Sequence, residues 1–387
     1  MKVCYWGTFE RQYPRNSVLI SGLRQNGIEV IECHFPLWEE GFRYNKLTLL
    51  SGLAGKLRIF GRALRAYPSL LLRYLFLSHH DAVVVGYLGH VDVLFLYPLA
   101  RLRRKPIIFD AFFSLYDTAI SDWGLGEKDS YVERFLLVLD KFACRLANLV
   151  LVDTKAQKEF FCREFGLPEA KVRWLYVGAD DSVFVPTSRS QGSDKFRVLY
   201  IGNYVPLHGV TVILKAARLL VRENIEFWLI GDHRGNNPAV RAEIQDVDLE
   251  RVRFFGWMPP EELRAMIAQV DVCLGVFGTS AKAQRVIPGK AFLALAMEKP
   301  LITGNSPAAR ELLENGENAI LCELGNPHAL ADAILRLKRY PSLRRQIGEE
   351  GNRLFQTHCT PKVLGSLFSS LIQEAVALQR AKWERGF

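Results

Sequence analysis

Phe196-Arg197-Val198-Leu199-Tyr200-Ile201-Gly202-Asn203-Tyr204-Val205-Pro206-Leu207-His208-Gly209-Val210 is the stretch whose reading decides the fold. Residues Phe196–Ile201 form an apolar run that reads as a buried strand, and Thr211–Glu223 carry helical periodicity. Between them, Gly202 and Gly209 permit a loop whose amides aim at an anion, with the helix dipole behind them. Asn203 and His208 lie in that loop, where His208 can hydrogen-bond a phosphate. An ordinary capped strand-to-helix turn is the competing reading.

The same alternation extends in both directions. Upstream, Lys2–Trp6, Ile28–His34, Ala82–Gly86, Pro106–Asp110, Leu149–Val152 and Val172–Val177 read as strands separated by amphipathic helices. Downstream, Glu226–Ile230, Val252–Gly256, Val272–Val276, Leu301–Thr303 and Ala319–Cys322 repeat the pattern, with a helix expected over Ala308–Asn315. Such alternation implies parallel sheets with helices on both faces. The polar stretch Val185–Asp194 reads as a linker. The expected architecture is α/β: two Rossmann-like, doubly wound domains, residues 1–184 and 195–365, facing a cleft. A last helix at about 366–387 is expected to return to the first domain.

A hydrophobic share of 49% over 387 residues supports packed cores rather than disorder. The net charge of +9 favours anionic partners, and part of it is local. Lys56, Arg58, Arg62, Arg65 and Arg73 follow one another with no acid among residues 56–73. Leu53, Leu57, Phe60 and Leu64 share one face of that segment, so 53–76 reads as an amphipathic helix able to lie on an anionic membrane. A helix that merely covers the sheet is the alternative. Nucleic acid is the weaker choice and is not expected as a partner, because no finger spacing, RRM signature or basic aromatic stripe is present and charge alone speaks for it.

The seven cysteines are scattered, odd in number and without a C-x-x-C pair. They point to free thiols in a reducing compartment, hence to a cytoplasmic protein, and the basic 53–76 stretch allows it a peripheral place at the inner membrane face. No metal-ligand spacing occurs, so neither metal nor other cofactor is expected. G-x-G-x-x-G, G-x-S-x-G and P-loop patterns are absent, which disfavours NAD enzymes, serine hydrolases and P-loop ATPases.

Candidate residues sit where parallel sheets bind ligands, past the carboxyl ends of strands. Gly7 follows the first strand and lets backbone approach a ligand. His90, Asp110 and Asp117 are acid–base candidates for an acceptor, against a capping role for Asp110 and a helix-start role for His90. In Ile287-Pro288-Gly289-Lys290, Lys290 and the nearby Arg285 are cations beside a helix N-terminus, where the macrodipole opposes them. A bound anion relieves that conflict.

Gly202–Val210, Phe227–Gly231, Phe254–Pro259, Asp271–Leu274 and Pro288–Pro300, in that order, resemble the donor half of the GT-B glycosyltransferases. The closest group is the retaining family with sucrose synthases and mannosyltransferases (group 1). The resemblance implies a donor site of Gly7, Gly202, Asn203, His208, Gly209, Gly231, Arg285, Ile287, Lys290 and Leu293. It departs from the family at the diphosphate cations, whose positions hold Asn203 and His208, and at the Glu-x₇-Glu pair, replaced by Arg285 and Leu293. Lys290 matches a lysine of one branch, whereas Lys282 lies outside the matched block. The implied function is sugar transfer with retention from a nucleotide-sugar to a saccharide or lipid-linked acceptor. The runner-up is a non-catalytic, nucleotide- or partner-binding relative with a degraded donor site.

Overall fold

The computed structural model describes residues 1–37, 52–122, 130–187, 195–231, 238–245 and 251–384. The first sheet contains β1 (Lys2–Gly7), β2 (Glu29–His34), β3 (Ala82–Val85), β4 (Ile107–Phe112), β5 (Leu149–Val152) and β6 (Val172–Trp174), ordered β2-β1-β3-β4-β5-β6. The second contains β7 (Phe196–Ile201), β8 (Ile225–Ile230), β9 (Val252–Phe255), β10 (Val272–Leu274), β11 (Leu301–Gly304) and β12 (Ile320–Cys322), ordered β12-β11-β10-β7-β8-β9. Every pairing within both sheets is parallel, so the expectation of two doubly wound Rossmann-like domains is met.

Side chains alternate across each strand, and this decides which helices cover which face. In the first domain, Val3, Tyr5, Val84, Ile108 and Leu151 pack toward α1 (Pro14–Gln25). Cys4, Trp6, Val85, Phe109 and Val152 pack on the opposite face. That face is covered by α2 (Gly52–Leu75), α3 (His90–Leu102), α4 (Tyr131–Leu146) and α5 (Lys155–Phe165). Local signals set the ends of these helices. Ser130 accepts from the amide of Glu133 at the start of α4, Thr154 does so from Gln157 at α5, and Gly166 closes α5 at φ 62°.

The second sheet is covered by α6 (Val210–Leu219), α7 (Pro238–Gln245), α8 (Pro260–Ala268), α9 (Gly289–Ala296), α10 (Pro327–Arg339) and α11 (Pro341–His358). The helix expected over Ala308–Asn315 is instead a single 3-10 turn at Ala309–Glu311. Asn315 there turns to bridge Ala319, and its side chain accepts from the Leu321 amide, so the segment is held as a turn into β12. The middle of the expected linker and its last residue, Asp194, lie outside the described residues.

The chain ends in α12 (Pro361–Glu384), which packs on α1 of the first domain. Leu364, Phe368 and Ile372 of α12 join one apolar cluster with Val18 and Leu19 of α1 and with Leu295 of α9. The crossing with α1 is made at two glycines. A Cβ on Gly22 would lie 2.2 Å from the Pro361 carbonyl, and one on Gly365 would lie 2.1 Å from the Gly22 carbonyl carbon.

Gly365→Ala should therefore destabilise by about 1–3 kcal/mol through overpacking, although alanine favours a helix. Gly61→Ala on α2 meets nothing within 4 Å and should stabilise by up to about 1 kcal/mol. Urea unfolding of the two variants reads the opposite signs. A Gly365→Ala protein as stable as the wild type would refute the tight crossing.

Candidate functional site

The carboxyl edges of the two sheets meet across a junction, and the loops at those edges form the site. On the second domain, the loop after β7 folds on itself. The Tyr200 hydroxyl donates to the Asn203 carbonyl at 2.8 Å, and His208 Nδ1 lies 2.5 Å from the same oxygen. Gly202 (φ 148°), Gly209 (φ 65°) and Gly231 (φ 144°) adopt backbone conformations that L side chains rarely take. Each also sits at a close approach. A Cβ on Gly231 would meet the Gly202 carbonyl oxygen at 2.1 Å, and one on Gly209 would meet the Gly278 amide at 2.4 Å. The loops after β7, β8 and β10 are thus pressed together.

Lys290, in the first turn of α9, reaches into this loop. Its ammonium lies 4.1 Å from the centre of the Tyr200 ring and beside Gly202, whose missing Cβ would fall 2.8 Å away. The side chain is only 8% exposed, and Nζ has no hydrogen-bond partner among the described residues. Burial holds its pKa well below the usual lysine range. His208 is also held well below its ordinary pKa, first by burial and then by Lys290. The arrangement is a buried cation and a polarisable ring at a helix N-terminus, with backbone opened by glycine. It is suited to an anion with several oxygens.

The other sequence-selected residues of this half fall in different places. Asn203 is exposed, Ile287 is core, and Leu293 is half-buried against the core cluster. Arg285 does not face the loop of Gly202. Its Nη2 donates to both oxygens of Asp117 in the first domain at 2.8 Å, and its guanidinium lies over the Phe160 ring.

Lys282, outside the matched block, is buried at the same junction. It donates to Thr118 at 2.5 Å, and its ammonium lies 4.4 Å from the centre of the Phe113 ring. Asp117, Thr118 and Asp122 all belong to the π-helical turn Asp117–Asp122. Asp122 accepts from the Leu207 amide at 2.9 Å, so the first domain grips the loop after β7 directly. Thr154 donates to the Arg285 carbonyl, and Glu311 accepts the amides of Lys155 and Ala156.

In the first domain, the structure corrects two roles. Asp110 is fully buried, and both its oxygens take hydrogen bonds from Arg15 at 2.9–3.2 Å. It is half of an internal ion pair and is closed to an acceptor. His90 is equally buried, with Nε2 2.9 Å from Asp140 and its ring edge-on to Phe109. Asp140 accepts in turn from Ser114 and from the amides of Leu115 and Tyr116, so this group shapes the turn after β4 rather than meeting a substrate. Asp117 alone of the three reaches the junction, where Arg285 holds it. Gly7 (φ 128°) is required by a side chain. A Cβ there would lie 2.2 Å from Asp92, which accepts from the Thr8 amide and Tyr67. Burial raises the Asp92 carboxyl to about 6.

Sequence reasoning missed Asp153. It follows β5, is 2% exposed, has an unpartnered Oδ1 among the described residues, and is raised by burial to about 7. Its position one residue past an apolar strand is the signal that could have found it.

Comparison with known proteins places these loops. The family model for glycosyl transferases group 1 matches residues 195–339, nearly the whole of the second domain. Over those residues the chain is similar to the group 1 glycosyl transferases. Superposition extends the likeness in fold to the full chain, which has the GT-B architecture. The sucrose-phosphate synthase of Thermosynechococcus elongatus aligns with a TM-score of 0.72 at 16% identity, covering 98% of this chain and 100% of that one. Anabaena HepE, solved in complex with UDP-glucose, aligns at 0.68 and 15%, covering 97% and 100%.

Among curated relatives, the amylovoran biosynthesis glycosyltransferase AmsK of Erwinia amylovora is 26% identical over 178 residues, 45% of this chain and 44% of that one. The D-inositol 3-phosphate glycosyltransferase of Corynebacterium glutamicum is 24% identical over 255 residues, 58% of each. The chain spans about half the length of the curated relatives it matches.

Asp110→Asn should leave the buried Arg15 charge uncompensated and cost about 3 kcal/mol or more, and Arg15→Met with Asp110→Leu should recover little of that loss, because it strips the donor from the Val152, Leu175 and Tyr176 carbonyls. Chemical denaturation of the single and double variants tests it. A single variant within experimental error of wild type would mean that the pair is not essential.

Proposed function

We propose that this protein transfers a sugar from a nucleotide diphosphate donor, held by the second domain, to a saccharide or lipid-linked acceptor at the first. Lys290 is the observation that carries this reading. A lysine that is nine-tenths buried, unpartnered among the described residues and aimed into a glycine-opened loop is suited to an anion. The donor diphosphate would lie between Gly202–Gly209 and the first turn of α9. There Lys290, the α9 N-terminus and the loop amides would stabilise the charge that develops on the leaving group.

Arg285 is not a substitute phosphate cation in this arrangement, because Asp117 occupies it. A neighbour solved with UDP-glucose makes uridine diphosphate sugars the first donors to try. Retention of configuration is carried over from the group 1 resemblance. Relatives named for lipopolysaccharide core and phosphatidyl-myo-inositol chemistry support saccharide and lipid-linked acceptors.

The expected cytoplasmic placement is supported by seven free cysteines. Among the described residues, no helix is long and apolar enough to cross a membrane. The non-catalytic alternative draws on Arg285 and Leu293, and the glycosyltransferase names among the relatives weigh against it.

Burial depresses the pKa values of Lys290 and His208 in the free protein. A bound diphosphate favours their charged forms and raises both values, so binding should take up protons. Affinity for UDP should then weaken as pH rises from the free toward the bound pKa values. Calorimetric titration in buffers of different ionisation enthalpy reads the uptake. Lys290→Ala should abolish most of it and weaken binding by about tenfold or more, the loss of one charge-assisted hydrogen bond. Unchanged affinity and uptake in the variant would remove Lys290 from the donor site.

A further inference from the structure

The faces of α2, α3 and α4 that point away from the first sheet carry large apolar side chains in open solvent. On α2 these are Leu57, Phe60 and Leu64, with Phe60 61% exposed. On α3, Val91 and Phe95 are exposed, and Phe95 stacks on Tyr67 of α2 at 4.0 Å, which joins the two helices laterally. On α4, Tyr131, Phe135, Val138 and Phe142 form a ridge, with Tyr131 91% and Phe135 64% exposed. The inward faces of these helices share one buried cluster on one side of the sheet, so their outward faces form one surface. Its apolar extent goes well beyond the scattered exposed residues expected of a solvated domain.

The charges on that surface are positive with one exception among the described residues. Residues Gly52–Leu75 contain no acid, and Arg58, Arg65 and Arg73 are exposed. Asp92 of α3 and Asp140 of α4 are buried and committed to Thr8 and Ser114, while Arg101, Arg134 and Arg145 are exposed on those helices. Among the described residues of the three helices, Glu133 is the one acid that is not buried. A second copy of this face would oppose cation to cation, which argues against a symmetric dimer here. An anionic bilayer satisfies both features, because it accepts the apolar side chains below its headgroups and pairs the arginines with phosphates.

We infer that α2, α3 and α4 together form a docking face for an anionic membrane surface. In a parallel sheet the helix after a strand starts at the carboxyl edge. The first turns of α3 and α4, with Val91 and Tyr131, therefore stand at the edge where the two domains meet. Docked on this face, the protein turns the mouth of its junction toward the headgroups. The acceptor class that fits is a saccharide on a lipid anchor. That last step rests on the transferase reading above, whereas docking itself does not.

The test is sedimentation of the full chain with vesicles of phosphatidylcholine alone and of phosphatidylcholine with equal phosphatidylglycerol. Wild type should pellet with the anionic vesicles, and raised salt should release it. Phe135→Glu with Val138→Glu, on α4 alone, should lower partition by about tenfold or more even though α2 is intact. Phe60→Glu with Leu64→Glu should do the same. All four positions are exposed, and unchanged thermal unfolding confirms that the variants fold.

An α4 variant that pellets like wild type would overturn the three-helix face and leave α2 alone. Wild type that ignores anionic vesicles, or that is a dimer dispersed by these substitutions, would overturn docking outright. UDP titration of the same proteins separates the two readings. Failure of wild type to bind nucleotide while it still pellets would sink the transferase reading and spare the docking face.

Discussion

The buried guanidinium of Arg15 holds together the edge on which the junction is built. It leaves α1 and bonds to Asp110 at the end of β4, to the Val152 carbonyl at the end of β5, and to the Leu175 and Tyr176 carbonyls after β6. Four segments far apart in sequence converge on one rigid fork whose geometry suits several acceptors at once. Burial alone would push the Asp110 carboxyl up, and Arg15 works against that by favouring the ionised form. The residues that meet the second domain, from Phe113 through Asp122 and at Asp153–Thr154, hang from strand ends fixed in this way.

Two sets of cations then divide the junction. Lys282 and Arg285 are satisfied across it by Thr118 and Asp117, over the rings of Phe113 and Phe160. Among the described residues, Lys290 has a ring but no oxygen. In a medium of low polarisability an unpaired ammonium is costly, whereas a paired one is tolerated. The contrast therefore marks Lys290 as the position left for something that arrives from outside. It also explains why Arg285 and Lys282, so near in sequence, serve cohesion rather than ligand binding. A segment between β10 and α9 that carries both holds the domains together.

The alternating apolar runs were enough to read both sheets, because a strand buried on both faces has few other solutions. Lys290 was legible for a related reason, since a cation at a helix start beside a glycine loop is an electrostatic anomaly visible in one dimension. His90 and Asp110 were not legible. Their apparent availability vanished through Asp140, fifty residues on, and Arg15, ninety-five residues back, and no local pattern announces such partners. Gly7 was read for the right property and the wrong beneficiary, because what comes close to it is Asp92. Lys282 lay outside the matched block, and its place at the junction was not legible for the same reason. Burial at a junction depends on the other domain, which the segment does not encode.

The return of α12 to α1 bears on how the protein is made. Synthesis runs from the amino end, and domains fold as they emerge. The first sheet can form early and cover one side of α1, yet the side of α1 at Gly22 has no partner until residues 361–384 leave the ribosome. Through that interval the nascent chain carries an open glycine notch shaped for a helix not yet translated. The closing of that seam is a late event in biogenesis, and it is the stage at which a chaperone would find the most to hold.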